Sequence, residues 1–131
     1  MQRFRKDVIA RMAMPYPLGT VQAAGETCVV AAPEAEGPLV LSRPPYTGAA
    51  EIAPGPGGCM ALVSAGMAGS DLFAIMGCFV GYKFQTGGIL RFTPEDHGPP
   101  TAPWHSQRIA ELPFAHRMEL VWRGGERWLV A

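Results

Sequence analysis

The chain has 131 residues, of which 48% are apolar and only 17% are charged, and this balance excludes an intrinsically disordered protein. Eleven basic residues cancel eleven acidic ones, so no overall charge would attract nucleic acid or an anionic membrane. Sixteen glycines and thirteen prolines supply many turns and leave little room for long helices. We therefore expect one all-β domain spanning residues 1–131.

The N-terminal stretch lacks the features of a targeting or membrane segment. Arg11 interrupts the apolar run that begins at Val8, which is too early for a signal peptide, and no window approaches the roughly 18 apolar residues of a membrane span. A cytoplasmic protein is therefore expected. Cys28, Cys59 and Cys78 lie far apart in apolar runs without a C-x-x-C pair, so we expect three buried thiols rather than ligands or disulfides.

The predicted strands form four-stranded units along the chain. The first unit has strands near 18–23, 27–32, 38–43 and 49–53, and the second has strands near 59–65, 71–79, 88–93 and 107–112. A third unit begins at Arg117 and stops at Ala131 in its second strand, and residues 7–12 would be the last strand of a preceding unit. The chain thus holds two complete units, roughly 18–53 and 59–112, with a partial unit at each end.

An internal repeat supports this division. When the chain is shifted by 100 residues, Val21 falls on Val121 and Gly25-Glu26 falls on Gly125-Glu126. Glycine at these points supplies the positive φ that a tight hairpin turn needs. Antiparallel four-stranded units of this length are typical of propeller blades, so the sequence predicts a partial β-propeller. A small β-barrel or a β-sandwich is the alternative, because both also consist of short strands with glycine and proline turns.

The segment 117–131 (RMELVWRGGERWLVA) resembles an FG-GAP or VCBS-type propeller repeat, in which a short strand enters a glycine turn and an apolar strand follows. Together with residues 113–117, the second unit is similar to the propeller of the aldos-2-ulose dehydratase group of sugar lyases. The calcium loops of the first family need several acidic oxygens, but this turn offers only Glu126, so we expect neither a metal site nor another cofactor. The catalytic and metal-binding residues of the lyases cannot be placed on this sequence, so the resemblance implies a fold and the activity is not carried over.

A glycine-bounded loop, residues 77–88, combines three aromatic residues with a lysine and a glutamine. In a propeller this loop would emerge at the same end as the proline loops that connect the units. We therefore expect a binding surface for a carbohydrate or another small polar ligand, formed by Tyr16, Tyr82, Lys83, Phe84, Gln85, His116 and Arg117. The alternative is that the phenylalanines simply pack beneath a long loop.

The remaining motifs favour ordinary structural roles. Residues 55–58 (GPGG) lack the Lys-Ser/Thr pair of a P-loop and are predicted to form a turn. His97 and His105 flank a proline-rich stretch and are predicted to be solvated loop residues. No catalytic triad can be assigned from spacing, because a triad is defined by its spatial arrangement.

Two classes of function remain open. The first is a binding module for a ligand or a protein, as a complete chain or as a fragment of a longer propeller. The second is a sugar-lyase-like enzyme that acts on a carbohydrate derivative through His116 and a metal or an acid elsewhere. Because the apolar faces of the end units would have no neighbours, we also expect self-association or dependence on a missing remainder of the propeller.

Overall fold

The computed structural model describes residues 6–66, 69–80, 83–84 and 86–131, and in these parts it contains β-strands and no α-helix. The strands are β1 (Pro15–Ala23), β2 (Glu26–Pro33), β3 (Leu39–Ser42), β4 (Ala50–Ala53), β5 (Ala61–Ser64), β6 (Leu72–Met76), β7 (Phe79–Val80), β8 (Lys83–Phe84), β9 (Thr86–Thr93), β10 (His105–Pro113), β11 (Glu119–Arg123) and β12 (Glu126–Val130). None of the described segments is a helix of the length and apolarity needed to cross a membrane.

Two four-stranded sheets make up most of the molecule. The first sheet has the order β1-β2-β3-β4, and the second sheet has the order β10-β9-β6-β5. Each pair of neighbouring strands is antiparallel, so both sheets are meanders in chain order apart from the small β7–β8 hairpin inserted in the second. The prediction of an all-β chain with two antiparallel four-stranded units is confirmed, and the described strands do not close either sheet into a barrel.

Three local predictions differ from the structure. The strand expected over 71–79 ends at Met76, because Gly77 has a φ of +79° that interrupts an extended chain. Part of the loop expected over 77–88 forms the β7–β8 hairpin, in agreement with the strand preference of aromatic and β-branched residues. Residues 7–12, expected as a strand, have no regular structure, because they lie across the outer face of the first sheet rather than beside a strand edge.

The main core lies between the two sheets. Alternate residues of β1, β2 and β3 face the second sheet, because successive side chains of a strand point to opposite faces. They pack against one face of β6 and β9, and the largest fully buried members of this core are Phe92, Leu39, Leu41, Ile52 and Leu72. Burial of each such side chain contributes roughly 1.5–3 kcal/mol.

A second apolar cluster lies on the opposite face of the second sheet. Met118 and Leu129 of the C-terminal part pack there against Ile75 and Ile89. The hairpin of β11 and β12, named here the terminal hairpin, therefore stacks on the second sheet from the side opposite the first sheet. The chain forms three layers in sequence order. The three cysteines are buried and free of disulfides, which confirms the prediction for them.

The terminal hairpin repeats the geometry of the β1–β2 hairpin. Val21 pairs with Cys28 in the first hairpin, and Val121 pairs with Trp128 in the second. The φ angles are +50° and +77° at residues 24 and 25, and +61° and +83° at residues 124 and 125. Both hairpins thus have the same register and the same two-residue turn with positive φ, as the shift of 100 residues indicates.

The connection between the two sheets, residues 54–60, is hydrogen-bonded on both sides. On one side the amide of Gly58 donates to the Ala35 carbonyl at 2.9 Å, and the amide of Cys59 donates to the Pro33 carbonyl at 3.0 Å. On the other side the amide of Gly77 donates to the Gly57 carbonyl at 2.9 Å. The glycine-rich stretch predicted as a turn is therefore a segment that ties one sheet to the other.

Candidate functional site

The first strands of the three layers lie next to one another. β5 contacts β1 on one side and β11 on the other, so the starts of these strands converge at one end of the molecule. A cavity of about 250 Å³ opens at this point. It is lined by Tyr16, Pro17, Leu18, Met60, Ala61, Leu62, His116, Arg117, Met118 and Glu119.

The lining comes from corresponding positions of the repeat. Residues 16–18 and 116–118 are related by the shift of 100 residues, so Tyr16 corresponds to His116. Residues 60–62 contribute the start of β5, the first strand of the second sheet. The cavity thus occurs where the chain enters three consecutive layers, and the sequence differences between the layers determine its chemistry.

Polar groups surround an apolar base. Met60 and Met118 are 4% and 5% exposed and form the base of the cavity. Tyr16 is 52% exposed, and His116, Arg117 and Glu119 are also exposed around it. The site therefore offers an aromatic ring with a hydroxyl, an imidazole, a guanidinium with five donors and a carboxylate acceptor.

The structure brings together three of the seven residues that the sequence predicts for the binding surface. Tyr16, His116 and Arg117 line this cavity. Lys83 and Phe84 form the short strand β8, and Tyr82 and Gln85 lie outside the described residues, so the prediction for these four stays a prediction.

The base of the β7–β8 hairpin lies beside the loop that carries His116. The Cys78 thiol donates to the Ala115 carbonyl at 3.5 Å, and Phe79 packs in the same cluster as Ala115 and Met118. These contacts place the base of the β7–β8 hairpin at the same end of the molecule as the 113–117 loop, as the sequence predicts. Phe79 packs against the core as the alternative interpretation of the loop expects.

The sequence analysis missed the apolar lining residues, and among the charged lining residues it missed Glu119. Glu119 lies two residues after Arg117, where a strand begins, and its exposure is typical of a charged residue at a strand end. The repeat contains no signal for it, because its counterpart in the first layer is Gly19, which is not among the lining residues.

The buried thiols are unsuited to nucleophilic chemistry. Burial raises the pKa of Cys59 to about 12, and burial likewise raises the pKa of Cys28 and Cys78. A thiol with a raised pKa stays protonated at neutral pH and reacts slowly. Cysteine chemistry therefore does not contribute to the site.

The other histidines lie away from this cavity. His97 is exposed and lines a separate cavity of about 370 Å³ with Glu95 and Asp96, at the turn end of the strands. His105 is exposed at the start of β10, so both are solvated as expected, although His105 is the first residue of a strand rather than part of a loop. Across the described residues, no three His, Cys, Asp or Glu side chains are grouped so as to hold a metal ion.

Comparison of the chain with protein-family models, with curated protein sequences and with solved structures finds no match. The resemblance to FG-GAP and VCBS repeats and to the sugar-lyase propellers therefore stays a prediction.

Proposed function

We propose that this chain is a propeller-type binding module that holds a small polar ligand, of the size of a single sugar ring, in the cavity at the starts of β1, β5 and β11. The observation that carries the proposal is the convergence of Tyr16, His116, Arg117 and Glu119 around one cavity of about 250 Å³. Drug-sized ligands occupy roughly 300–1,000 Å³, so this volume suits a smaller molecule.

The side chains favour a ligand with hydroxyl groups and a carboxylate. The planar guanidinium of Arg117 can bind a carboxylate through two parallel hydrogen bonds. Glu119 can accept hydrogen bonds from hydroxyl groups, and the ring of Tyr16 offers an apolar face for a sugar ring. A sugar acid such as glucuronate combines all three features, whereas glucose lacks the carboxylate.

The arrangement of the layers supports the propeller-type interpretation. The first sheet, the second sheet and the terminal hairpin stack face to face in chain order, and their first strands lie side by side. The outer strands β4 and β10 are then the last strands of their units, as in the blades of a propeller. We therefore infer two blades followed by the first two strands of a third.

Ligand binding is tested by isothermal titration calorimetry with glucuronate and glucose as probes. We expect glucuronate to bind more tightly than glucose, and Arg117→Ala to remove most of this difference. Arg123→Ala is the matched control, because Arg123 is an exposed arginine at the end of β11, the strand that follows Arg117, and does not line the cavity. If neither probe binds, or if both variants lose affinity equally, the proposed site is wrong.

Catalysis of an elimination reaction is the second candidate, favoured by one specific observation. His116 and Glu119 line the same cavity and could accept and donate protons. An enzyme of this kind would remove the C5 proton of a 4-O-substituted glycuronate, break the C4–O bond and release the substituent as an alcohol, which leaves a C4–C5 double bond that absorbs ultraviolet light. We would expect His116→Ala to abolish the absorbance change while Arg123→Ala retains it. An inert wild-type protein that binds glucuronate supports the binding module instead.

A further inference from the structure

The terminal hairpin exposes an apolar face. Val121, Trp128 and Val130 lie on the same side of the hairpin, since Val121 pairs with Trp128 and alternate residues of a strand share a face. Their exposed fractions are 37%, 50% and 53%. The opposite side of the hairpin carries Leu129, which packs on the second sheet.

The repeat shows what this face corresponds to within the chain. Val21, Cys28 and Val30 occupy the corresponding positions of the β1–β2 hairpin and are at most 1% exposed. They are buried because the second sheet, the next layer along the chain, packs on them. The exposed face of the terminal hairpin therefore corresponds to the face of the β1–β2 hairpin that the second sheet covers.

The opposite end of the stack presents the complementary type of face. On the outer side of the first sheet, Leu18, Ala31 and Val40 form one row across three strands, and Val29 lies between Thr20 and Ser42 in the next row. Leu18 is 72% exposed. In the second sheet, the corresponding side carries Leu62 of β5 and Ala74 of β6, and the first sheet packs against these residues.

A groove of about 420 Å³ runs along this outer face, between the first sheet and residues 8–12. Its lining is largely apolar, and Arg11 is the sole charged residue among the described residues that form it. The free side of the terminal hairpin carries Glu119, Glu126 and Arg123, which is an excess of one negative charge. The two surfaces therefore match in apolar character and have opposite charge.

We propose that the terminal hairpin of one copy docks on the outer face of the first sheet of a second copy, beside residues 8–12. The two copies would then associate head to tail and reproduce the layer-to-layer contact already present inside the chain. Such an interface joins two different surfaces, so it generates either a closed ring or an extended assembly. The inference rests on the propeller-type stacking. Leu18 and Glu119 belong both to the docking faces and to the cavity lining, so the test uses Val29 and Trp128, which do not line the cavity.

The first experiment measures the mass of the protein by sedimentation velocity over a range of concentrations. We expect the wild-type protein to have a multiple of the monomer mass. Trp128→Glu changes the hairpin face and Val29→Glu changes the sheet face, and each variant should weaken association by about thirtyfold or more, as expected for a central interface residue. Trp122→Glu is the matched control, since Trp122 lies on the same hairpin but on its other side and is 66% exposed.

The second experiment tests the head-to-tail geometry by mixing the two variants. Val29→Glu protein retains a normal hairpin face, and Trp128→Glu protein retains a normal sheet face. An equimolar mixture should therefore form a mixed dimer with one intact interface, although each variant alone is monomeric. Circular dichroism should show that both variants are folded, because Trp128 is half exposed and Val29 is half-buried on the outer face.

Three outcomes overturn the inference. They are a monomeric wild-type protein at all concentrations, Trp122→Glu as disruptive as Trp128→Glu, or a mixture of the two variants that remains monomeric. None of them bears on the cavity, because neither Val29 nor Trp128 lines it. Glucuronate binding by the two monomeric variants therefore tests the proposed function separately.

Discussion

Ala24 and Gly124 occupy the same position in two copies of one turn, and this pair gives the sharpest test of the repeat. Their φ angles are +50° and +61°, in the left-handed region that glycine adopts without a steric penalty. For an L-residue with a Cβ atom this conformation costs about 1–2 kcal/mol. The first copy of the turn therefore carries a strain that the second copy avoids.

The two exchanges should have opposite effects on stability. Ala24→Gly removes about 1–2 kcal/mol of strain, but glycine also loses about 0.5–1 kcal/mol more conformational entropy on folding, so we expect a net stabilisation of about 0.5–1 kcal/mol. Gly124→Ala should destabilise by a similar amount. Apart from the adjacent residues of the chain, nothing lies within 4 Å of a Cβ placed at Gly124, so the effect comes from φ and not from a clash.

Urea unfolding, followed by tryptophan fluorescence, measures both changes. Ala49→Gly is the control, because Ala49 is an exposed alanine outside the set of residues with positive φ, and glycine there should destabilise by about 0.5 kcal/mol. If Ala24→Gly destabilises the protein as Ala49→Gly does, the two hairpins do not share the turn geometry described above.

Two further predictions concern the core. Phe92 is fully buried between the two sheets, so Phe92→Ala should lower the free energy of unfolding by about 3–5 kcal/mol in the same urea assay, and a loss below about 1 kcal/mol would contradict the packing of the sheets. Burial raises the pKa of Cys59 from 9.0 to about 12. Between these two pH values the thiol ionises in the unfolded chain but stays protonated in the folded protein. The contribution of Cys59 to the free energy of unfolding is therefore complete below pH 9 and is lost as the pH rises towards 12. The slope for this thiol is at most about 1.4 kcal/mol per pH unit, and Cys59→Ala should reduce the measured slope by that contribution. Equal slopes for the two proteins would show that Cys59 does not titrate differently on unfolding.

The strand order could be predicted because hydrophobic runs and turn residues agree along most of the chain. The prolines and glycines around residues 15, 25, 54, 113 and 125 mark strand ends, and the structure places strands between them. Residues 7–12 have the same apolar pattern without being a strand. A strand needs a partner edge, and the pattern of a single segment does not reveal whether such an edge exists nearby.

The site could be predicted only in part, for a related reason. Tyr16, His116 and Arg117 were expected together because the repeat places them at one end of neighbouring layers. Glu119 was missed because it belongs to a strand rather than to a loop. The tight connection at residues 57–58 was missed as well, since glycine in a sequence indicates a freedom of φ and does not show which neighbours it approaches.

This glycine connection has a mechanical consequence for the molecule. A Cβ atom at Gly58 would lie 2.8 Å from the backbone nitrogen of Phe79, and one at Gly57 would overlap the backbone at Ala35, so side chains are sterically excluded from both positions. The connection is also hydrogen-bonded to both neighbouring segments, so it holds the two sheets in a fixed relative position and does not act as a hinge. The two sheets should therefore move as one rigid body. Any change of shape on binding is then confined to the N-terminal segment and the terminal hairpin, the two ends at which we propose that copies of the chain meet.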